Sequence, residues 1–137
     1  MDRVGAVGLD LLERGARHRG EHHVVVLEVH VRPVDAVGDL RGTGFFYALE
    51  LVKDKETRET FSDEECETLL RDFLSPRLFE RGLICRADDR DNPVIQLSPP
   101  LVAGQDEFDR IASVLGEVLA EAWAELEKGR GKALAQA

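Results

Sequence analysis

The sequence predicts an α+β protein, a two-layer sandwich in which a small antiparallel sheet carries helices on one face. Apolar residues recur at helical spacing near 62–81 and near 105–127. Short apolar or alternating runs bounded by turn formers lie near 44–52, 83–86 and 94–97 and are typical of strands. The order strand, helix, strand, strand, helix, with short connections between the later strands, favours the sandwich.

The helix near 62–81 has the clearest signals. Ser62 and Glu65 have the spacing of a capping box, which predicts that the helix begins there. Pro76 lacks an amide hydrogen, so we expect a break or kink near Ser75, and Gly82 predicts the C-terminal end. One stripe of this helix is predicted to pack on the sheet, and it consists of Cys66, Leu69, Leu70, Phe73 and Leu74.

The strand near 44–52 is apolar on both faces, since Tyr47 and Leu49 alternate with Phe46 and Ala48. This pattern predicts a position inside the sheet or at a domain contact. The glycine-rich stretch at 37–44 lacks the spacing and the lysine of a phosphate-binding loop, so it predicts a tight turn that leads into the strand.

Residues 1–36 predict a separate N-terminal segment, with a helix over 1–19 and a strand from about His22 to Pro33. On such a strand His22, Glu28 and His30 share one face, which is the only arrangement in the chain that resembles a metal site. The first and last of them would lie roughly 20 Å or more apart at 3.3 Å per residue, so a solvent-exposed strand face is favoured over a metal site.

Composition excludes several classes of function. The net charge of −9 and the absence of a basic stripe disfavour nucleic acid as a partner. Neither a membrane span nor a secretory signal is predicted, so we expect a cytoplasmic protein. Cys66 and Cys85 are far apart at apolar positions, which favours free buried thiols over a disulfide, a nucleophile or a metal site.

Arg86 is the candidate binding residue. It stands where the strand near 83–86 gives way to a charged loop, and a guanidinium held there could offer two parallel hydrogen bonds to a carboxylate. The alternative is that Arg86 solvates a strand end, and spacing alone leaves both interpretations open.

Four stretches together resemble a known family. They are VGDLRGTGFFYALELVKD from Val37, LFERGLICRADDR from Leu78, VIQLSPPLV from Val94 and a closing helix. Their order and spacing resemble the C-terminal small domain of class III aminotransferases, which depend on pyridoxal 5′-phosphate (PLP) and include omega-amino-acid, amine and pyruvate transaminases. The resemblance assigns 37–127 to this domain, leaves 1–36 as a divergent segment and leaves 128–137 as a frayed tail.

The resemblance implies that Arg86 matches the mobile arginine that binds the carboxylate of an amino-acid or oxo-acid substrate. It implies no catalytic residue here, because the family's PLP-binding lysine belongs to a large domain that nothing in this chain matches. The four lysines stand in polar segments, at Lys53, Lys55, Lys128 and Lys132. The chain is therefore expected to be inactive alone and to need a large-domain partner or to form a homodimer.

A second hypothesis comes from a different class of function. A freestanding α+β domain whose apolar strand faces are uncovered could act as a non-catalytic interaction or dimerisation module. A third and weaker one is a sensor for small carboxylates that uses Arg86 as its anchor.

Overall fold

The computed structural model describes residues 19–88 and 93–136, of which residues 19–22, 86, 88, 133 and 134 are described by their backbone alone. Helix α1 (Arg19–His30) precedes the sheet and helix α3 (Gln105–Gln136) follows it. Helix α2 (residues 63–80) comprises three stretches, Asp63–Cys66, Glu67–Leu74 and Ser75–Glu80. The strands are β1 (Val37–Thr43), β2 (Phe46–Leu51), β3 (Arg86–Asp88) and β4 (Val94–Leu97).

The four strands form one antiparallel sheet in the order β1-β2-β4-β3. The α+β class is confirmed, and β2 lies inside the sheet as its two apolar faces predict. Tyr47, Leu49 and Ile95 are buried on one sheet face together with apolar residues from the helices. That shared core holds the helices against the sheet.

Strand β1 corrects the prediction of a turn over 37–44. Only Gly44 and Phe45 connect β1 to β2, since Thr43 pairs with Phe46 in the antiparallel register. Gly42 stays in the strand with φ of 144°, and a Cβ there would lie 2.1 Å from the carbonyl oxygen of Phe46. The glycines therefore permit β1 to pair closely with β2. A stretch whose composition is typical of a turn thus forms a strand.

Strand β3 begins at Arg86, three residues later than the prediction of 83–86. The preceding residues close helix α2, because Gly82 has φ of 81° and its amide donates to the Phe79 carbonyl while the Leu83 amide donates to the Leu78 carbonyl. This pair of hydrogen bonds is a Schellman motif, and it commits Leu83 to the helix end.

Helix α2 begins as predicted, with Ser62 and Glu65 forming both hydrogen bonds of the capping box. The predicted break near Ser75 is wrong, because Ser75 has helical dihedral angles (φ −60°, ψ −48°). The stretch Glu67–Leu74 is π-helical, and the hydrogen-bonding pattern changes to α at Ser75. Pro76 then stands in the first turn of the last stretch, where a missing amide hydrogen is tolerated.

Helix α1 corrects the prediction of a strand between His22 and Pro33. The run of valines favours a strand by composition, yet the buried residues His23, Leu27 and Val31 recur at helical spacing. The His23 ring stacks on the Phe108 ring of α3 with 3.5 Å between ring centroids. Tertiary packing thus overrides the β-branched composition, while the predicted helix over 1–19 falls almost wholly outside the described residues.

The segment 128–137, predicted as a frayed tail, is helical as far as Gln136. Arg130 anchors it, since its guanidinium lies 5.2 Å from the Trp123 ring centroid and Nη2 donates to the Lys53 carbonyl at 3.4 Å. Among the described helices, α3 included, none is long and apolar enough to cross a membrane.

Candidate functional site

The candidate site lies where β3 begins. Arg86 pairs in register with Gln96 of β4, Gln96 pairs with Ala48 of β2, and Ala48 pairs with Arg41 of β1. These four paired residues therefore form a row that crosses all four strands of the sheet. Gln96 is half-buried and follows the fully buried Ile95, so it lies on the sheet face that points away from the core.

Carboxylates already neutralise the arginine at the far end of this row. Arg41 Nη1 donates to Asp39 Oδ2 and to Glu50 Oε2, each at 2.9 Å. The hydrogen bond from Arg41 holds the pKa of Asp39 below its usual value, while the hydrogen bonds that Arg41 donates to Glu50 and Asp39 raise the pKa of Arg41. Arg41 is therefore a structural cation of the sheet rather than a receptor for an added anion.

Arg81, at the end of α2, is committed in the same way, since its guanidinium donates to Glu117 and to Glu121 of α3. The ion pairs fasten the end of α2 to α3. Arg86 is the residue in this neighbourhood that the sequence singles out for a substrate carboxylate, and that role stays a prediction.

His22, Glu28 and His30 do not share a strand face, because all three lie on helix α1. The predicted strand arrangement, which resembled a metal site, is therefore wrong. Glu28 accepts from Arg32, and His30 Nδ1 lies 3.1 Å from the Val26 carbonyl oxygen. The described residues contain no group of three or more His, Cys, Asp or Glu placed to hold a metal ion.

Two cavities lie beside the start of β3. One, of about 310 Å³, is lined by Ile84, Cys85 and Gln96, and the other, of about 320 Å³, is lined by Arg110, Val114 and Val102. Both are also lined by Leu83, Pro99, Pro100 and Ile111, so they are two halves of one depression. We refer to the surface formed by Leu83, Ile84, Pro99, Pro100 and Val102, together with the exposed Leu101 that stands between the last two in the sequence, as the apolar groove.

Cys85 lines the groove immediately before Arg86, and burial raises its pKa from 9.0 to about 11. The protein should therefore hold this thiol as a neutral group at pH 8, with a thiolate fraction about 100-fold lower than that of an ordinary cysteine. Cys85 is not placed to act as a nucleophile under such conditions.

Alkylation of Cys85 by iodoacetamide at pH 8 is accordingly expected to be about 100-fold slower in the folded protein than in urea. The rate should rise roughly tenfold for each pH unit between 8 and 10, since the thiolate reacts. Peptide mapping by mass spectrometry separates Cys85 from the buried Cys66. Equal rates with and without urea would contradict the raised pKa.

Three of the four lysines are engaged by other groups of the protein. Lys53 Nζ lies 2.7 Å from Glu65 Oε1, and Lys128 Nζ donates to Glu125 Oε1 at 2.8 Å. Lys55 Nζ donates to the Arg32 carbonyl at 2.8 Å. Burial lowers the pKa of Lys55. The groove is lined by no lysine, so the residues present do not fit covalent attachment of this cofactor.

Comparison with known proteins gives the family. No protein-family model matches the chain. The probable aminotransferase Rv3329 of Mycobacterium tuberculosis is 43% identical over 124 residues, which cover 86% of this chain and 26% of that protein. The putrescine–pyruvate aminotransferase of Pseudomonas aeruginosa is 41% identical over 83 residues, which cover 61% of this chain and 17% of that protein.

Comparison with solved structures also indicates similarity to aminotransferases. A structure described as the PMP-bound form of an aminotransferase from Vibrio fluvialis superimposes with a TM-score of 0.67 and 27% sequence identity, covering 80% of this chain and 23% of that chain. This chain is a relative of the class III aminotransferases. It spans about a quarter of the length of the relatives it matches.

The family resemblance found from sequence is thus confirmed, and the partial coverage is consistent with the C-terminal portion of such an enzyme. The match of 124 residues to the mycobacterial aminotransferase is longer than the predicted domain at 37–127, so it extends into the flanking segments. Sequence reasoning missed the apolar groove. Its signal was available in SPPLV, which puts two aliphatic residues after two prolines, where a polar turn is expected.

Proposed function

We propose that this chain is the C-terminal portion of a class III aminotransferase that transfers an amino group from an amine or omega-amino acid to a 2-oxo acid. Its own part in that reaction is to bind the carboxylate of the substrate through Arg86. The observation that carries the proposal is the match to aminotransferases over most of this chain but only about a quarter of theirs.

Arg86 suits the role because it begins an edge strand whose register is fixed by the pairing with Gln96. A planar, permanently charged guanidinium can form two parallel hydrogen bonds with a carboxylate. Arg41 and Arg81 are each engaged by two carboxylates of the protein itself. The proposed domain includes helix α1, because Leu27 and Val31 are fully buried in the same core as the sheet.

In this proposal, PLP binds to the part of the enzyme that this chain does not match. When bound, PLP serves as an electron sink for carbanion chemistry and receives the amino group during transfer. The chain contributes substrate recognition and surface for assembly, and it has no catalytic residue of its own.

Treatment with PLP and borohydride tests the cofactor part of the proposal. The isolated chain should give no stoichiometric adduct at any one lysine, because Lys53 and Lys128 are paired with carboxylates and no lysine lines the groove. Intact Rv3329 protein serves as the positive control, and the adduct is located by peptide mass spectrometry. A stoichiometric adduct at one lysine of the isolated chain would contradict the proposal.

The alternative function is a non-catalytic interaction or dimerisation module. The observation that favours it is the exposure of large apolar side chains, among them Ile84, Leu101 and Val102. A self-associating chain that neither binds carboxylates nor restores amino transfer would support this alternative.

A further inference from the structure

We infer that a groove between helices α2 and α3 binds a small organic cation that has an apolar body. Its floor is formed by Leu69, Phe73, Ala122 and Leu126, and we refer to it as the helix groove. All of its lining residues belong to the two helices, whereas Arg86 begins strand β3. The inference goes beyond the proposed function, because it concerns a separate site that needs no part in amino transfer.

The helix groove has the size of a small-molecule site. Its volume is about 650 Å³, which lies within the range of about 300–1,000 Å³ that is usual for such sites. Leu69 and Ala122 are buried at the floor, while Phe73 and Leu126 are partly buried and pack against the core. A Cβ at Gly129 would meet no atom within 4 Å, so the space beside α3 is open. The groove therefore has apolar surface and room for an apolar ligand body.

The α2 wall of the helix groove has an unusual backbone. Leu69 and Phe73 belong to the π-helical stretch Glu67–Leu74. The Ser75 amide ends that stretch by donating to the Leu70 carbonyl, five residues back, where an α-helix would pair it four residues back. π-helical turns are rare and occur frequently at functional sites. In this protein the π-helical wall and the cavity coincide.

Carboxylates dominate the rim of the helix groove. Glu64, Glu65 and Glu125 line it, and Arg130 is the one cationic residue among the described residues that does so. That guanidinium is already engaged, since it lies 5.2 Å from the Trp123 ring centroid and donates to a backbone carbonyl. The rim therefore keeps an excess of negative charge, which favours a cationic ligand over an anionic one.

Glu64 has the carboxylate that is most available to such a ligand. Glu65 and Glu125 are paired with Lys53 and Lys128, at 2.7 Å and 2.8 Å. The carboxylate of Glu64 makes no hydrogen bond or ion pair with another residue that the structure describes. A carboxylate accepts strong hydrogen bonds from an ammonium group. A ligand with an ammonium head and an apolar body thus matches both the rim and the floor.

Three compounds that share a phenylbutyl body and differ in charge test the inference. They are 4-phenylbutylamine, 4-phenylbutan-1-ol and 4-phenylbutyrate, each titrated into the full chain at pH 7 and followed by the NMR shifts of assigned backbone amides. The amine should bind about 10-fold more tightly than the alcohol or the carboxylate, because only the amine carries a positive charge. The largest shifts should occur at Thr68, Leu69 and Gly129, which line the groove.

Glu64→Gln/Glu125→Gln should weaken binding of the amine about 3- to 10-fold and leave binding of the alcohol unchanged, since it removes only charge from the rim. The matched control is Glu67→Gln/Glu127→Gln, which removes the same charge from the same two helices at residues that do not line the groove. The control should change the Kd of the amine less than about twofold at physiological ionic strength. All four glutamates are exposed, so both double variants should keep the thermal midpoint of the wild type.

Four results would overturn the inference. They are absence of amine binding, equal affinity of the three compounds, largest shifts outside the helix groove, and equal effects of the two double variants. Arg86→Ala serves to separate the two sites, because it should leave the Kd of the amine unchanged. Each of these four results would leave the proposed function standing, and failure of amino transfer would leave the helix groove standing.

Discussion

Arg86→Ala is expected to lower kcat/KM for pyruvate about 150- to 1000-fold in a chimera where this chain replaces the 124 aligned residues of Rv3329 protein. The reason is the loss of two charge-assisted hydrogen bonds, each of which contributes about 1.5–2 kcal/mol. The loss should be confined to substrates that carry a carboxylate. A short aldehyde acceptor without a carboxylate should react at the same rate in both proteins.

The comparison of the two acceptors separates binding from damage to the fold. Arg86→Lys keeps the charge but loses the planar pair of donors, so it should fall between the wild type and the alanine variant for pyruvate. Arg90→Ala, four residues on in the sequence, is the matched control and should leave both rates unchanged. Equal loss for pyruvate and for the aldehyde would contradict a carboxylate-binding role of Arg86.

Gly116→Ala is the second large effect, and its expected sign is opposite to that of helix propensity. Alanine in place of glycine inside a helix usually stabilises it by about 0.5–1 kcal/mol. At Gly116, however, a Cβ would lie 2.4 Å from the carbonyl oxygen of His30, where α3 crosses α1. Since that atom belongs to the backbone at the end of α1, the backbone there must shift away from α3, and we expect a loss of about 1–3 kcal/mol in the free energy of unfolding.

Gly129→Ala in the same helix is the control, because a Cβ there would meet no atom within 4 Å. This variant should gain about 0.5–1 kcal/mol by reducing the freedom of the unfolded chain. Urea unfolding followed by circular dichroism measures both variants. A Gly116→Ala protein as stable as Gly129→Ala would show that α1 does not pack on α3 at this distance.

The sequence was sufficient where local chemistry and packing favour the same structure. The capping box at Ser62 and Glu65, the apolar face of α3 and the central position of β2 follow directly from residue type and spacing. The family resemblance was also available from motif order, and it is confirmed by the comparisons.

Sequence reasoning failed where distant contacts decide the local structure. The valines of α1 favour a strand, and only the burial of Leu27 and Val31 against the rest of the core explains the helix. The glycines before β2 indicate a turn, and the pairing with β2 makes them a strand. The apolar groove was missed although SPPLV contains a signal for it, because the exposure of Leu101 and Val102 depends on the three-dimensional path of the turn.

Arg86 shows how far sequence can define the candidate site. Residue type and family resemblance select Arg86 for carboxylate binding, and the sheet register adds its pairing with Gln96. In the proposed function this residue acts together with groups of the larger enzyme, and for that reason neither residue spacing nor the register of β3 assigns its role.

Amino transfer by mixtures of separately purified polypeptides tests the central claim most directly. Neither this chain nor Rv3329 protein from which the 124 aligned residues have been deleted should convert pyruvate with PLP and an amine donor that the intact Rv3329 protein uses. Their equimolar mixture should convert it, and omission of either polypeptide should abolish the activity. Pyruvate conversion by this chain alone, or an inactive mixture of polypeptides that bind each other, would contradict the claim that this chain is the incomplete, substrate-recognising part of an aminotransferase.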